Sequence, residues 1–179
     1  GGARLAMRDL ELRGAGDILG TKQSGHVSSI GFHLYCKLLK KTIDALQNRK
    51  EISFIETKID FPFPAELPES YINDKSLRLE LYHRLGEVTT LEQIDTVFYE
   101  IKDRFGRPPL PVLWLYHMTR IRIIANRHHI KTLRYGAHTL EIEVMQGKKT
   151  ETKGFMLPPK KAPHEVEEFT ASLIAKIFR

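Results

Sequence analysis

The 179-residue sequence holds a single cysteine, Cys36, which excludes an internal disulfide and a cysteine-based zinc site and suits a reducing compartment. It has no apolar run approaching the roughly 20 residues of a membrane span, so no membrane partner is expected. Nor does it open on an initiator methionine or an apolar leader. The start, GGARLAMRDL, reads as a piece of a longer, cytoplasmic protein. Internal repeats and low-complexity tracts are missing as well. Acidic residues are the scarcer sign, 22 against 28 basic ones, which leaves a net charge of +6. Basic residues outnumber acids in the first fifty positions, nine to four, a distribution compatible with nucleic acid.

What is present is a helix-rich pattern with a late change of period. Residues 1–50 read as a helix, a glycine-rich turn, a loop and a long helix with Ile30, Leu34, Leu38 and Ile43 on its stripe. Residues 51–73 carry Pro62, Pro64 and Pro68 and a brief alternation of Ile59, Phe61 and Phe63, so they read as an extended linker or strand and a domain boundary. A second unit is expected over 74–179. Its first helix places Leu77, Leu81 and Leu85 on one stripe, with Gly86 as the expected stop. Thr90 and Gln93 have capping-box spacing ahead of Ile94, Val97, Phe98, Ile101 and Phe105, with Gly106 as the stop. A third helix is expected over Val112 to Arg127. After Ile130, Leu140, Ile142 and Val144 alternate with Glu141 and Glu143, and KGFML can pair with them across a turn at Gly147. Pro163 opens a last helix with Val166, Phe169, Leu173 and Ile177. The expected fold class is α+β: a helical hairpin followed by a small domain with a short antiparallel sheet and several helices.

The stretch RGAGDILGTKQSG, residues 13 to 25, has four glycines and one arginine. Gly14, Gly16 and Gly20 are spaced G-x-G-x-x-x-G after a helix-like segment, which is not the dinucleotide fingerprint. Gly20 to Gly25 has the first half of P-loop spacing, yet His26 and Val27 stand where the lysine and the magnesium-binding hydroxyl are needed. What remains is a mechanical role, in which glycines let two helices fold back on one another. Thr21, Lys22, Gln23 and Ser24 all donate hydrogen bonds and suit backbone phosphates, or form a solvated turn.

The run DLELRGAGDILGTKQSG, Asp9 to Gly25, resembles the translocation motif shared by bacterial ATP-driven duplex-DNA translocases, the fork-remodelling helicase RecG and the transcription-repair coupling factor (Mfd) family. GHVSSIGFHLYCKLL and the later YHRLGEVTTLEQIDTVFYEIKDRFGRPP resemble the second of these. The resemblance implies that Arg13, Gly14, Gly16 and Gly20 couple ATP hydrolysis to DNA stepping, and that the loop Thr21, Lys22, Gln23, Ser24 faces double-stranded DNA. It implies that ATP and Mg are bound by an upstream motor, so this chain should not itself hydrolyse ATP and needs no cofactor. It further implies a parent that displaces stalled RNA polymerase. The C-terminal domain would dock on the parent's own N-terminal UvrB-like module and mask the surface that recruits the repair protein UvrA. Arg107, Arg120, Arg122 and Arg127 are candidates for a docking rim, although a solvated helix face accounts for them too.

Other readings compete. A free-standing nucleic-acid-binding module would bind duplex alone, with steep salt dependence. The fork helicase would have a much shorter tail after the motif. Adjacent His128 and His129 diverge on a helix and do not make a metal pair; Trp114 and Tyr116 read as core; Glu167 and Glu168 lack the apolar setting of a catalytic acid.

Overall fold

A computed structural model describes residues 57–159 and 161–179. The elements in chain order are β1 (Lys58–Asp60), α1 (Lys75–Glu87), α2 (Leu91–Phe105), α3 (Leu110–Arg127), β2 (Ile130–Tyr135), β3 (Thr139–Gln146), β4 (Lys149–Met156) and α4 (Pro163–Ile177). Together they form an α+β fold, with the strands in the order β1-β2-β3-β4. The expected antiparallel sheet is there as β2, β3 and β4, and β1 widens it as a parallel neighbour of β2. Parallel pairing requires a crossover, and α1 to α3 supply it.

The proline-bearing segment is extended, as its composition implies, and it also contributes to the core. Ile59, Ala65, Leu67 and Ile72 are buried, and the Phe63 ring stacks on Trp114 with centroids 4.0 Å apart. Its backbone groups find partners on the helices: Leu67 N–H donates to the Tyr82 hydroxyl at 2.7 Å, and Glu66 N–H to the Pro111 carbonyl at 3.2 Å. At its start, Thr57 N–H donates to Asn126 Oδ1 and its hydroxyl to the Ile130 carbonyl. Buried polar groups paired in this way avoid the desolvation cost of about 1–3 kcal/mol each.

The helices follow their caps, with one exception. Asp74 accepts from Leu77 N–H at the start of α1. Thr90 and Gln93 form the expected capping box on α2, and Gly106 closes that helix at φ 89°, donating to the Lys102 carbonyl. Gly86 does not stop α1, which runs on to Glu87. The chain leaves the helix at Val88, whose buried side chain turns it inward. Helix α3 buries Val112, Trp114, Leu115, Met118, Ile121, Ile123 and Ala125, more than one face, because α2, α4 and the sheet all pack on it. Along β3, Leu140, Ile142 and Val144 face the core, as their alternation implies.

Candidate docking surface and its support

Arg13, Gly14, Gly16 and Gly20, and the loop Thr21, Lys22, Gln23 and Ser24, lie outside the described residues, as does Cys36. The site that the structure does build belongs to the second unit.

Three helices are clasped by one polar network. Helix α3 carries Tyr116, His117 and Arg120 within about one turn, so their side chains fan over one side. Arg120 Nη1 donates to Asp95 Oδ1 of α2 at 2.6 Å, and its Nε donates to Glu167 Oε1 of α4 at 2.8 Å. Tyr116 donates to the same Asp95 oxygen at 2.6 Å, and His117 Nδ1 lies 2.9 Å from the same Glu167 oxygen. The Tyr116 ring is held in turn by Phe98, stacked at 3.9 Å, with the Arg120 guanidinium 5.7 Å from its centroid.

Burial, hydrogen bonds and neighbouring charges set the direction in which each pKa moves. Burial alone would raise the Glu167 carboxyl, but hydrogen bonds and charge from His117 and Arg120 outweigh it and hold the group below its ordinary value. Burial first, and then the hydrogen bond to Asp95, push the Tyr116 phenol well above its ordinary range. Glu167 Oε1 meets both Arg120 and His117. The network joins α2, α3 and α4.

This places the four arginines expected at a rim. Arg107 and Arg127 are exposed. Arg120 is committed to the clasp with its side chain 18% exposed. Arg122 is buried and donates to the Leu85 carbonyl at 3.2 Å, so it ties α3 to the end of α1. Arg78 is buried in the same manner at the start of α1, donating to the Ile72 and Asn73 carbonyls. Arg120 and Arg122 are thus supports beneath a surface and not its rim, because Arg120 is spent on Asp95 and Glu167 and Arg122 reaches the Leu85 carbonyl inside the fold.

Above the clasp, the outer side of α2 shows the exposed ring of Tyr99, at 64% relative exposure. Glu100 and Asp103 are exposed beside it, and Lys102 Nζ lies 5.9 Å from the ring centroid. Arg84 of α1 donates to Glu100 at 2.6 Å, joining the two helices at this face. Tyr99 is thus a large exposed ring set among charged groups on this helix. The sequence held the signal. With Ile94, Val97, Phe98, Ile101 and Phe105 on the core stripe, Tyr99 falls on the opposite side of the helix.

Trp114 is core, as its neighbours in the sequence imply. His128 stacks on Phe178 with centroids 4.9 Å apart, while His129 is exposed at φ 55°, and neither joins a metal-binding group among the described residues. No described helix is long and apolar enough to cross a membrane.

Known proteins match this unit. A family model, the TRCF domain, matches residues 61–155, more than half of the chain. The transcription-repair-coupling factor of Bacillus subtilis (strain 168) is 31% identical over 154 residues, covering 86% of this chain and 13% of that protein. Its counterpart in Buchnera aphidicola subsp. Acyrthosiphon pisum is 41% identical over 139 residues, 75% of this chain and 17% of that protein. The Escherichia coli (strain K12) protein is 37% identical over 137 residues, 74% of this chain and 12% of that protein. The chain therefore spans less than a fifth of the length of these relatives. The crystal structure of a C-terminal domain of transcription-repair coupling factor superposes with a TM-score of 0.54 at 14% identity, over 69% of this chain and 96% of that one, a likeness of fold. With the sequence match extending across the cored unit, the chain belongs to the transcription-repair coupling factor family.

Proposed function

We propose that this chain is the C-terminal part of an ATP-dependent duplex-DNA translocase, working in the cytoplasm, that displaces stalled RNA polymerase and recruits nucleotide-excision repair. Its second unit is a docking domain. It lies on the parent's own UvrB-like module and masks the surface that binds UvrA. Its first fifty residues couple the upstream motor, which holds ATP and Mg, to DNA: Arg13 is the hinge contact, Gly14, Gly16 and Gly20 the turn, and Thr21 to Ser24 the loop toward the duplex.

One observation carries the docking reading. The segment matched by the family, residues 61–155, includes the helix that exposes Tyr99 while the polar groups beneath it are turned inward. A contact that motor movement must break has to be worth only a few kcal/mol, and a face of one ring and a few screened charges is on that scale. Exposed ion pairs add little, so the ring is the anchor.

The test is Tyr99→Ala in the full-length parent, with UvrA binding as the readout. Losing a ring of this kind costs the contact on the order of 1–2 kcal/mol, so UvrA affinity should rise roughly tenfold without any DNA or polymerase. Unchanged UvrA affinity would remove α2 from the docking face.

A further inference from the structure

Strand β4, Lys149–Met156, closes the sheet at the end opposite β1, and among the described residues it pairs only with β3. The hairpin before it has a two-residue loop, Gly147 and Lys148, with Gly147 at φ 64°, between the closing pair Gln146 and Lys149. A tight turn of this sort fixes the phase of the ladder, because its closing pair exchanges hydrogen bonds and every second pair after it does the same. Lys149, Glu151, Lys153 and Phe155 therefore bond to β3. The bond from Leu157 N–H to the His138 carbonyl, at 2.8 Å, continues that phase. Thr150, Thr152, Gly154 and Met156 consequently turn their N–H and C=O groups to the open edge, and all four are exposed.

The charges along this edge are self-complementary over the length of the strand in one register. We infer that β4 is an interface for a second copy of this chain, joined antiparallel about a two-fold axis through Thr152. In that register Thr152 faces Thr152 of the other copy, and Glu151 faces Lys153 in both directions. Thr150 then lies opposite Gly154, around which there is open space. The phase of the edge permits only registers centred on a residue. Centring on Glu151 or Lys153 places like charges on the axis. Centring on Gly154 leaves both charged residues opposite apolar ones. Centring on Thr150 also pairs opposite charges, but it leaves only the residues next to the hairpin turn in the ladder. The Thr152 register uses the strand from Lys149 to Phe155.

A second observation points the same way. Charges on β2 and β3 are paired across the sheet, Lys131 with Glu143 at 3.3 Å and Arg134 with Glu141 at 3.1 Å. Among the described residues, Glu151 and Lys153 form no ion pair. Charged edge strands usually resist pairing, and here the same charges favour one long register over the rest. Opposite charges directly across an antiparallel pair are favourable and like charges unfavourable, so the pattern selects as well as permits. The resulting contact is isologous and closes at two copies.

Sedimentation velocity of the 179-residue chain over a concentration series tests this. The natural sequence should show a reversible monomer–dimer equilibrium. Glu151→Lys alone and Lys153→Glu alone should each remain monomeric. Their equimolar mixture should dimerise, since each facing pair then joins a lysine of one variant to a glutamate of the other. Thr152→Pro should abolish the dimer and keep the circular dichroism and thermal midpoint, because the N–H it removes points outward. A natural chain that stays monomeric, single reversals that dimerise like it, or a mixture that stays monomeric would each overturn the interface.

Discussion

Arg120 engages two carboxylates from two other helices, and the consequences can be followed atom by atom. Glu167, with its side chain 14% exposed, takes hydrogen bonds from both Arg120 and His117 on one oxygen. Its carboxyl therefore sits below its ordinary value in the folded state. A depressed acid contributes stability above its unfolded pKa, and that contribution is lost as pH falls through the lower folded value. The folded domain should hold its denaturant midpoint down to about pH 5 and lose stability below it, in part through this group. Glu167→Gln should flatten that acid limb. At neutral pH it should cost on the order of 1–3 kcal/mol, because the Arg120 charge keeps only Asp95 as an ionised partner. Urea titrations of both proteins across the acid range measure both effects. An acid limb as steep in the variant as in the natural protein would mean that the clasp is not ionised as described.

At the same scale, helical periodicity misplaces two arginines. Arg120 and Arg122 look like solvated positions on a helix, and only the packing of α2, α4 and the end of α1 around α3 turns them inward. Arg13 rests on a different kind of legibility, its place in a motif. On the proposed role, Arg13→Ala in the full-length parent should retain DNA-stimulated ATPase and lose duplex translocation, since a hinge without the guanidinium lacks its two-pronged contact. Both activities intact would leave the stretch as a structural turn.

Among the elements, those signalled by side-chain-to-backbone chemistry were legible. The α2 capping box joins Thr90 and Gln93 as their spacing implies, and such a cap is worth about 1 kcal/mol. Gly106 and Gly147 both take positive φ, where a side chain would be strained. Gly86 carries the same signal by position and does not act on it, because a glycine near a helix end stops the helix only where the backbone has to turn left-handed. Strand β1 was harder. Three residues beside a run of prolines carry too little pattern to announce a parallel partner more than seventy residues away. What makes it a strand is tertiary: the Thr57 anchors on Asn126 and Ile130 and the burial of Ile59. The prolines fit because the backbone of this segment bonds to helix side chains and loops rather than to a ladder on both sides.

For the whole molecule, the family-matched unit is a helix layer over one face of a mixed sheet, with a charged clasp turned inward and a large ring displayed on α2. The candidate face itself was poorly legible. Tyr99 stands out only after the rest of α2 is assigned to the core, and acidic neighbours such as Glu100 and Asp103 look like any solvated helix side. Arg13 to Ser24 rest on a motif resemblance alone, and a motif gives a proposed role without a geometry. Masking by the second unit is the main proposal, and its energy is bounded: strong enough to keep the recruiting surface closed, weak enough for motor work to open it.

Masking stands or falls on UvrA affinity, compared between the full-length parent and the parent ending before Thr57. A masking domain worth a few kcal/mol makes the shortened protein bind UvrA at least about tenfold more tightly, with no requirement for ATP, DNA or polymerase. Equal affinity for the two proteins would mean that the second unit masks nothing.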